Sequence, residues 1–111
     1  MQIEISTDSH IEGSEAFAAR AQSAVETAIG RFSSRISRVE VHLHDANRDK
    51  GGAGDKRCVI EVRLQGRPPT AVSHQAPTLE LAIDGAAGKL KRSIETTLGR
   101  ENSLAGRRDH R

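Results

Sequence analysis

Every periodic segment of this chain is apolar on one side only, and this feature limits the folds open to it. Ile3 and Ile5 alternate with polar neighbours, as in a strand with one buried face, and the same period of two recurs from Arg38 to His44 and from Arg57 to Leu64. Two further segments repeat apolar residues at helical spacing, each in a single stripe. Such segments pack most economically in two layers, with both helices on one face of a sheet and water on the other.

The two helical stripes lie far apart in the sequence. The first comprises Phe17, Ala21, Ala24, Ala28 and Phe32. The second comprises Leu79, Ile83, Ala86, Leu90, Ile94 and Leu98. Gly30 marks the end of the first helix, and Pro77 is predicted to open the second, at a position where a missing amide is tolerated.

The order of the predicted elements defines the fold class. A short run from Thr70 to Gln75 follows two prolines and is predicted to be an edge strand. The order predicts an α+β domain, β-α-β-β-β-α, whose four-stranded sheet has a crossover after the first strand and an antiparallel meander in the rest. Between the second and third strands, the glycine-rich stretch from Asp45 to Asp55 is predicted to be a mobile hairpin loop. We expect one domain over residues 1–100 and a polar, disordered tail over residues 101–111.

Composition excludes several classes of protein. Cys58 is the single cysteine, which rules out an intramolecular disulfide and a cysteine-based zinc site and favours a reducing compartment. The chain shows neither a signal peptide nor an apolar stretch approaching ~20 residues, so we expect a cytoplasmic protein without a membrane partner. Trp and Tyr are absent. A protein that reads single-stranded RNA by stacking bases is therefore not expected.

The formal net charge of +2 conceals an uneven distribution of charge. Residues 1–30 hold five acids against one base, whereas residues 31–66 and 67–111 each hold eight bases against five acids. If the helix ends and the sheet edge converge, the later basic residues could engage several phosphates at once. The candidate RNA-binding residues are Arg31, Arg35, Arg38, Lys56, Arg57, Arg63, Lys89, Lys91, Arg92 and Arg100. The alternative is that these long side chains cover apolar edges and pair with Glu95, Asp84 or Glu61.

No pattern in the chain indicates a reaction centre. His42 and His44 point the same way on a strand and could bind a metal ion, but a third ligand is hard to name, and an exposed strand face of mixed charge is the preferred explanation. Cys58 falls on an apolar strand face, which favours a buried structural thiol over a nucleophile. The glycines of the loop fit no phosphate-binding motif. We therefore expect no enzyme, and neither a cofactor, a metal ion nor a small-molecule substrate.

Three sequence segments carry a family resemblance that covers residues 1 to about 100. They are Met1-Gln2-Ile3-Glu4-Ile5, Ala28-Ile29-Gly30-Arg31-Phe32, and Leu81-Ala82-Ile83-Asp84 followed by Lys89-Leu90-Lys91-Arg92. In these segments the chain resembles the ribosome hibernation-promoting family, also called ribosomal subunit-interface, ribosome-associated inhibitor or sigma-54 modulation proteins.

The resemblance implies a domain akin to double-stranded-RNA-binding folds and a role in translation regulation under stress. Its partners would be the ribosome and small-subunit ribosomal RNA, where it would occupy the decoding region of idle ribosomes and block messenger and transfer RNA. Lys89 and Arg92 match the family's basic positions on the second helix, Arg100 extends them, and Arg31 matches a position at the end of the first helix. Because the chain stops at Arg111, a short form is implied, without the extra C-terminal domain of long-form members.

Three other functions remain compatible with these residues, and one of them is a small metal-dependent enzyme that uses His42 and His44. A generic RNA-binding module acting away from ribosomes would keep the fold and the basic second helix. A protein-interaction regulator of a sigma factor would not depend on the basic residues at all.

Overall fold

The chain folds in the predicted order of elements. The computed structural model describes residues 1–9, 11–45 and 56–109, with side chains through residue 99. Its elements are β1 (Gln2–Thr7), α1 (Ser14–Ile29), a 3-10 helix (Gly30–Arg35), β2 (Ile36–Asp45), β3 (Lys56–Leu64), β4 (Thr70–Ala76) and α2 (Leu79–Asp109). The predicted α+β fold, β-α-β-β-β-α, is confirmed. The predicted hairpin loop after Asp45 lies outside the described residues.

The four strands form one mixed sheet in the order β1-β2-β3-β4. β1 runs parallel to β2, with Ile3 opposite Val39, while β2, β3 and β4 form an antiparallel meander. The meander and the edge position of β4 match the predictions from the short links and the prolines. The β3–β4 turn closes through a bond from the Arg67 amide to the Leu64 carbonyl, and Gly66 supplies the positive φ of 76° that this turn requires.

Both helices pack on the same face of the sheet, as the single apolar stripes predict. The core between the layers is almost wholly aliphatic, because Phe17 and Phe32 are only partly buried at its margin. Its largest fully buried side chains include Ile29, Val39, Val41, Leu43, Ile60, Val62, Ile83, Leu90 and Ile94. Within the described ranges, no helix combines the length and apolar character needed to cross a membrane.

α2 begins two residues later than predicted. Pro77 precedes the helix, and Thr78 caps it, because the Thr78 hydroxyl accepts the Leu81 amide at 3.2 Å. The prediction that Pro77 opens the helix was therefore wrong: a side chain that can accept a hydrogen bond takes the capping position. At its other end the backbone of α2 continues to Asp109, into the segment predicted as a tail. The boundary between domain and tail stays a prediction.

α2 lies closest to the sheet where it crosses β4. A Cβ atom built at Gly85 would collide with the imidazole ring of His74. His74 is opposite Cys58 in the register and therefore belongs to the helix-covered side of the sheet. Gly85 thus lets the helix rest directly on a histidine ring.

Candidate nucleic-acid interface

α1 and α2 lie side by side and run in the same direction. The Arg20 guanidinium binds Asp84 at 3.1 Å, and the Arg31 guanidinium binds Glu95 at 2.5 Å. Both ion pairs join residues 64 positions apart in the sequence. A constant offset means parallel helices in fixed register, so Lys91 is level with Thr27 and Arg92 with Ala28.

Lys91 and Arg92 of α2 are exposed beside α1, whereas Lys89 is directed to the edge of the sheet. The Lys89 ammonium donates to the Ser73 carbonyl of edge strand β4 at 2.8 Å. Lys91 and Arg92 are exposed and form no ion pair among the described residues. The Arg92 Nη1 atom lies 3.6 Å from where a Cβ of Gly88 would be, so its guanidinium covers that glycine.

The 3-10 helix that follows α1 contributes two further predicted residues to the same layer. Arg31 is held by Glu95 and by a cation–π contact with Phe32, in which its guanidinium carbon lies 4.6 Å from the ring centroid. Arg35 ends the 3-10 helix with an exposed side chain, and its carbonyl accepts the Gln65 amide.

Three other predicted residues lie on the opposite side of the molecule. Arg38, Arg57 and Arg63 alternate with buried residues of β2 and β3 and so point away from the helices. Arg38 binds the carboxylates of Glu4 and Glu40, at 2.5 and 3.0 Å. Arg57 and Arg63 are exposed, and no ion pair to another described residue engages them.

Acidic side chains interrupt the basic residues on this open face of the sheet. The strand register places Glu4, Glu40 and Glu61 opposite one another in one row across three strands. This row separates the Arg38–Arg63 pair from Arg57. The open face therefore carries balanced charge, which is poorly suited to a continuous polyanion.

The last two candidates are placed differently. Lys56 is half-buried at the start of β3 and binds Asp45 at 3.3 Å. Arg100 belongs to α2, but its side chain lies outside the described residues. The predicted RNA-binding residues thus lie on two faces and at one edge of the molecule, and the structure does not bring all of them together.

A groove separates the two helices on their solvent side, with a volume of about 700 Å³. Its lining comprises Ala19, Arg20, Ser23, Ala24, Thr27 and Ala28 of α1 with Asp84, Ala87 and Gly88 of α2. Sequence reasoning missed both the groove and Arg20, the one basic residue of the acidic first third. The shared spacing of Arg20 and Arg31 in α1 and of Asp84 and Glu95 in α2 is the signal that could have indicated both.

The two histidines considered as metal ligands are engaged with neighbouring side chains. Nδ1 of His42 lies 2.7 Å from the Ser6 hydroxyl, and Nδ1 of His44 lies 3.1 Å from an Asp8 carboxylate oxygen. The two rings stack with their centroids 6.4 Å apart. Among the residues with described side chains, no three His, Cys, Asp or Glu residues gather as metal ligands.

Cys58 is buried, as its apolar strand face predicted. Burial raises the pKa of its thiol from 9.0 to about 12, because the low-dielectric interior disfavours the thiolate. The thiol is therefore protonated at neutral pH and is no nucleophile there.

Comparison with known proteins gives one family and several related structures. The model of the family described as sigma 54 modulation protein / S30EA ribosomal protein matches residues 3–102. No curated protein sequence matches the chain.

Two solved structures share the fold. A ribosomal subunit interface protein from Coxiella burnetii is 17% identical with a TM-score of 0.72, and the alignment covers 89% of this chain and 99% of the other. The Protein Y N-terminal domain from Thermus thermophilus is 19% identical with a TM-score of 0.64, covering 86% and 94% respectively. At these identities the likeness concerns the fold alone.

Proposed function

Because the chain belongs to the sigma 54 modulation protein / S30EA ribosomal protein family, we propose that it is a ribosome-binding translation inhibitor of the cytoplasm. It occupies the decoding region of the small subunit in idle ribosomes and blocks binding of messenger and transfer RNA. The observation that carries the proposal is the family match over residues 3–102, nearly the whole described domain. The name of the Coxiella burnetii structure, a ribosomal subunit interface protein, supports the same partner.

We assign the RNA contact to the helix face, which carries Lys89, Lys91, Arg92 and Arg31. Lys91 and Arg92 are exposed without a carboxylate partner among the described residues, so phosphate binding there breaks no ion pair. Arg31 and Lys89 would exchange Glu95 and the Ser73 carbonyl for phosphate oxygens. The open sheet face is less suited, because its arginines alternate with a row of three glutamates.

Inhibition on this proposal is steric and involves no chemical reaction. Lys and Arg contacts to phosphates supply affinity and fix the orientation of the domain without reading sequence. A-form RNA is recognised mainly by shape and backbone, so the absence of Trp and Tyr does not impair such binding. The folded body then fills space that messenger and transfer RNA need.

Charge reversal on one face at a time tests the proposal. The K91E/R92E variant should bind purified small subunits at least about tenfold more weakly in a sedimentation assay, because it loses two phosphate contacts and gains repulsion. The R57E/R63E variant makes the same change of net charge on the open sheet face and should retain most of the binding. Thermal unfolding of both variants checks that the fold is intact.

Competition with duplex RNA and the K91E/R92E variant separate the alternative functions. A generic RNA-binding module would bind isolated duplex RNA as tightly as it binds small subunits, so duplex RNA would compete at equal concentration. The family description also names sigma 54 modulation. A protein-interaction regulator of that kind would keep its activity in K91E/R92E. Wild-type affinity of K91E/R92E for the small subunit would refute the assignment to the helix face.

A further inference from the structure

We propose that the groove between α1 and α2 seats the sugar–phosphate backbone of an RNA strand, an inference that rests on the proposed function. The groove begins at the Arg20–Asp84 ion pair and runs past Thr27 and Ala28. The Arg31–Glu95 pair crosses the same two helices further along. Eleven residues of α2 separate Asp84 from Glu95, a distance of about 16 Å at the rise of an α-helix.

The walls of the groove allow a partner's backbone to come close to both helices. Between the ion pairs the lining residues are Ser23, Ala24, Thr27, Ala28, Ala87 and Gly88. No side chain among them is larger than that of threonine. The hydroxyls of Ser23 and Thr27 can donate to phosphate or ribose oxygens, as such side chains do in RNA complexes. A volume of about 700 Å³ along two helices suits an extended chain better than a single small ion.

The charges at the groove indicate that the molecule bound in it is anionic. The Arg92 guanidinium covers Gly88 in the groove wall, and Lys91 is level with Thr27. Asp84, the acid in the groove lining, has Arg20 as its partner, and Glu95, beyond the lining, has Arg31. Arg20 and Arg31 keep 47% and 65% of their side-chain surface exposed, so each can contact a phosphate from where it lies.

The other acids of the two helices with described side chains, Glu15, Glu26 and Glu80, are outside the groove lining. Glu26 follows Ala24 by two residues, about 200° around α1, and its carboxylate is reached by the Gln22 amide. Glu80 lies one turn before Asp84 and is outside the lining. Between the two ion pairs a phosphate backbone would therefore meet cations and hydroxyls, whereas Glu15 and Glu80 lie one turn before the groove, next to Arg20.

A variant that fills the groove without changing charge tests this inference. In S23L/T27L/G88L, three leucines occupy the space while every basic residue remains. A Cβ at Gly88 meets only the Arg92 guanidinium at an ordinary contact distance, and Ser23 and Thr27 are exposed, so the variant should fold. The matched control, Q22L/Q75L/T96L, places three leucines at exposed positions outside the groove.

Binding is measured for a short A-form RNA duplex and for purified small subunits, with thermal unfolding of each variant. The groove-filling variant should bind both at least about tenfold more weakly, because backbone contacts position the domain on RNA. The control should bind as the wild-type protein does. Both variants should unfold at the wild-type temperature or above it.

Any other outcome overturns the inference, and the pattern of binding shows whether the proposed function falls with it. Wild-type binding by S23L/T27L/G88L, with binding lost in K91E/R92E, refutes the groove and leaves the proposed function standing. Wild-type binding by both variants refutes both proposals. Loss of small-subunit binding with unchanged binding to the duplex would mean that a protein segment occupies the groove.

Discussion

The environment of Cys58 follows from the packing of the helices on the sheet. Its side chain is fully buried in β3, between the sheet and the helices, among Val and Ile side chains. The raised pKa of its thiol follows from the absence of water around the sulfur. A thiol in this position contributes to the core as a small apolar group and should resist alkylation in the folded protein.

The raised pKa of Cys58 predicts a loss of stability at alkaline pH. Between the ordinary thiol pKa of 9.0 and the folded-state value of about 12, the unfolded chain loses the thiol proton while the folded protein keeps it. The folded state then binds more protons, so the free energy of unfolding falls as pH rises, by up to about 1.4 kcal/mol per pH unit. Below this interval the thiol makes no pH-dependent contribution.

Urea unfolding of the wild-type protein and of Cys58→Ala across this pH interval isolates the effect. The alanine variant is less stable at neutral pH, because it leaves a small cavity, but it lacks the thiol titration. The rest of the chain is the same in both proteins. The difference between the two stabilities should therefore shrink as pH rises, and a constant difference would contradict the assignment.

Individual ion pairs were only partly predictable from the sequence. The sequence offers Asp84, Glu95 and Glu61 as possible partners for the basic residues. In the structure Asp84 and Glu95 are paired with arginines. Asp84, however, binds Arg20, which lies in the acidic first third and was not a candidate. Pairs 64 residues apart depend on the register of two helices, which hydrophobic periodicity does not determine; the equal spacing of the two arginines and of the two acids is the signal that the sequence contains.

At the scale of secondary-structure elements, prediction succeeded where one face is buried. Alternating residues such as Val39, Val41 and Leu43 are completely buried, and their polar neighbours are not. The 3-10 helix at Gly30–Arg35 was not expected, because its six residues are too few to show a period. The same alternation places Arg38, Arg57 and Arg63 on the open face of the sheet, but how α1 lies against α2 leaves no such pattern in the sequence, which is why the basic residues were not grouped by face.

Two glycines in α2 should respond oppositely to alanine. Gly85→Ala forces a methyl group into the His74 ring and should destabilise the protein by about 1–3 kcal/mol. Gly88→Ala meets only ordinary contacts and should stabilise it by up to about 1 kcal/mol, because alanine favours a helix. Urea unfolding of both variants measures the difference.

The double variant G85A/H74A identifies the cause of the Gly85 effect. Removing the imidazole ring opens the space that the new methyl group needs, so Gly85→Ala should cost much less in the H74A background. A coupling energy of about 1 kcal/mol or more is expected for residues in direct contact. If the two effects simply add, the close approach of α2 to β4 is not what requires glycine at position 85.

At the scale of the whole molecule, the two-layer fold sorts charges into two unlike faces. Residues that alternate with buried ones in β2 and β3 form an open face on which arginines and glutamates alternate. The helix layer presents a groove beside Lys91 and Arg92, and Asp84, the acid in its lining, is paired with Arg20. A near-neutral protein can therefore offer one face to a polyanion, although its formal net charge is only +2.

The acids that pair with Arg20 and Arg31 should limit RNA binding. In D84N/E95Q both arginines lose their carboxylate partner, while Arg31 keeps its contact with Phe32. Pairs this exposed contribute about 0–1 kcal/mol each, so the fold should be almost unaffected. RNA binding should strengthen, and the slope of log Kobs against log salt concentration should steepen by about 0.7–0.9 for each arginine that gains a phosphate.

E15Q/E26Q is the matched control, because it removes the same charge from positions of α1 outside the groove lining. If long-range attraction alone matters, both double variants strengthen binding equally and neither gains a phosphate contact. A steeper salt dependence in D84N/E95Q, measured by titration of duplex RNA at several salt concentrations, would mean that the released arginines reach phosphates. Identical slopes in the two variants would mean that Arg20 and Arg31 only clamp the helices together, so that Lys91 and Arg92 alone would hold the RNA.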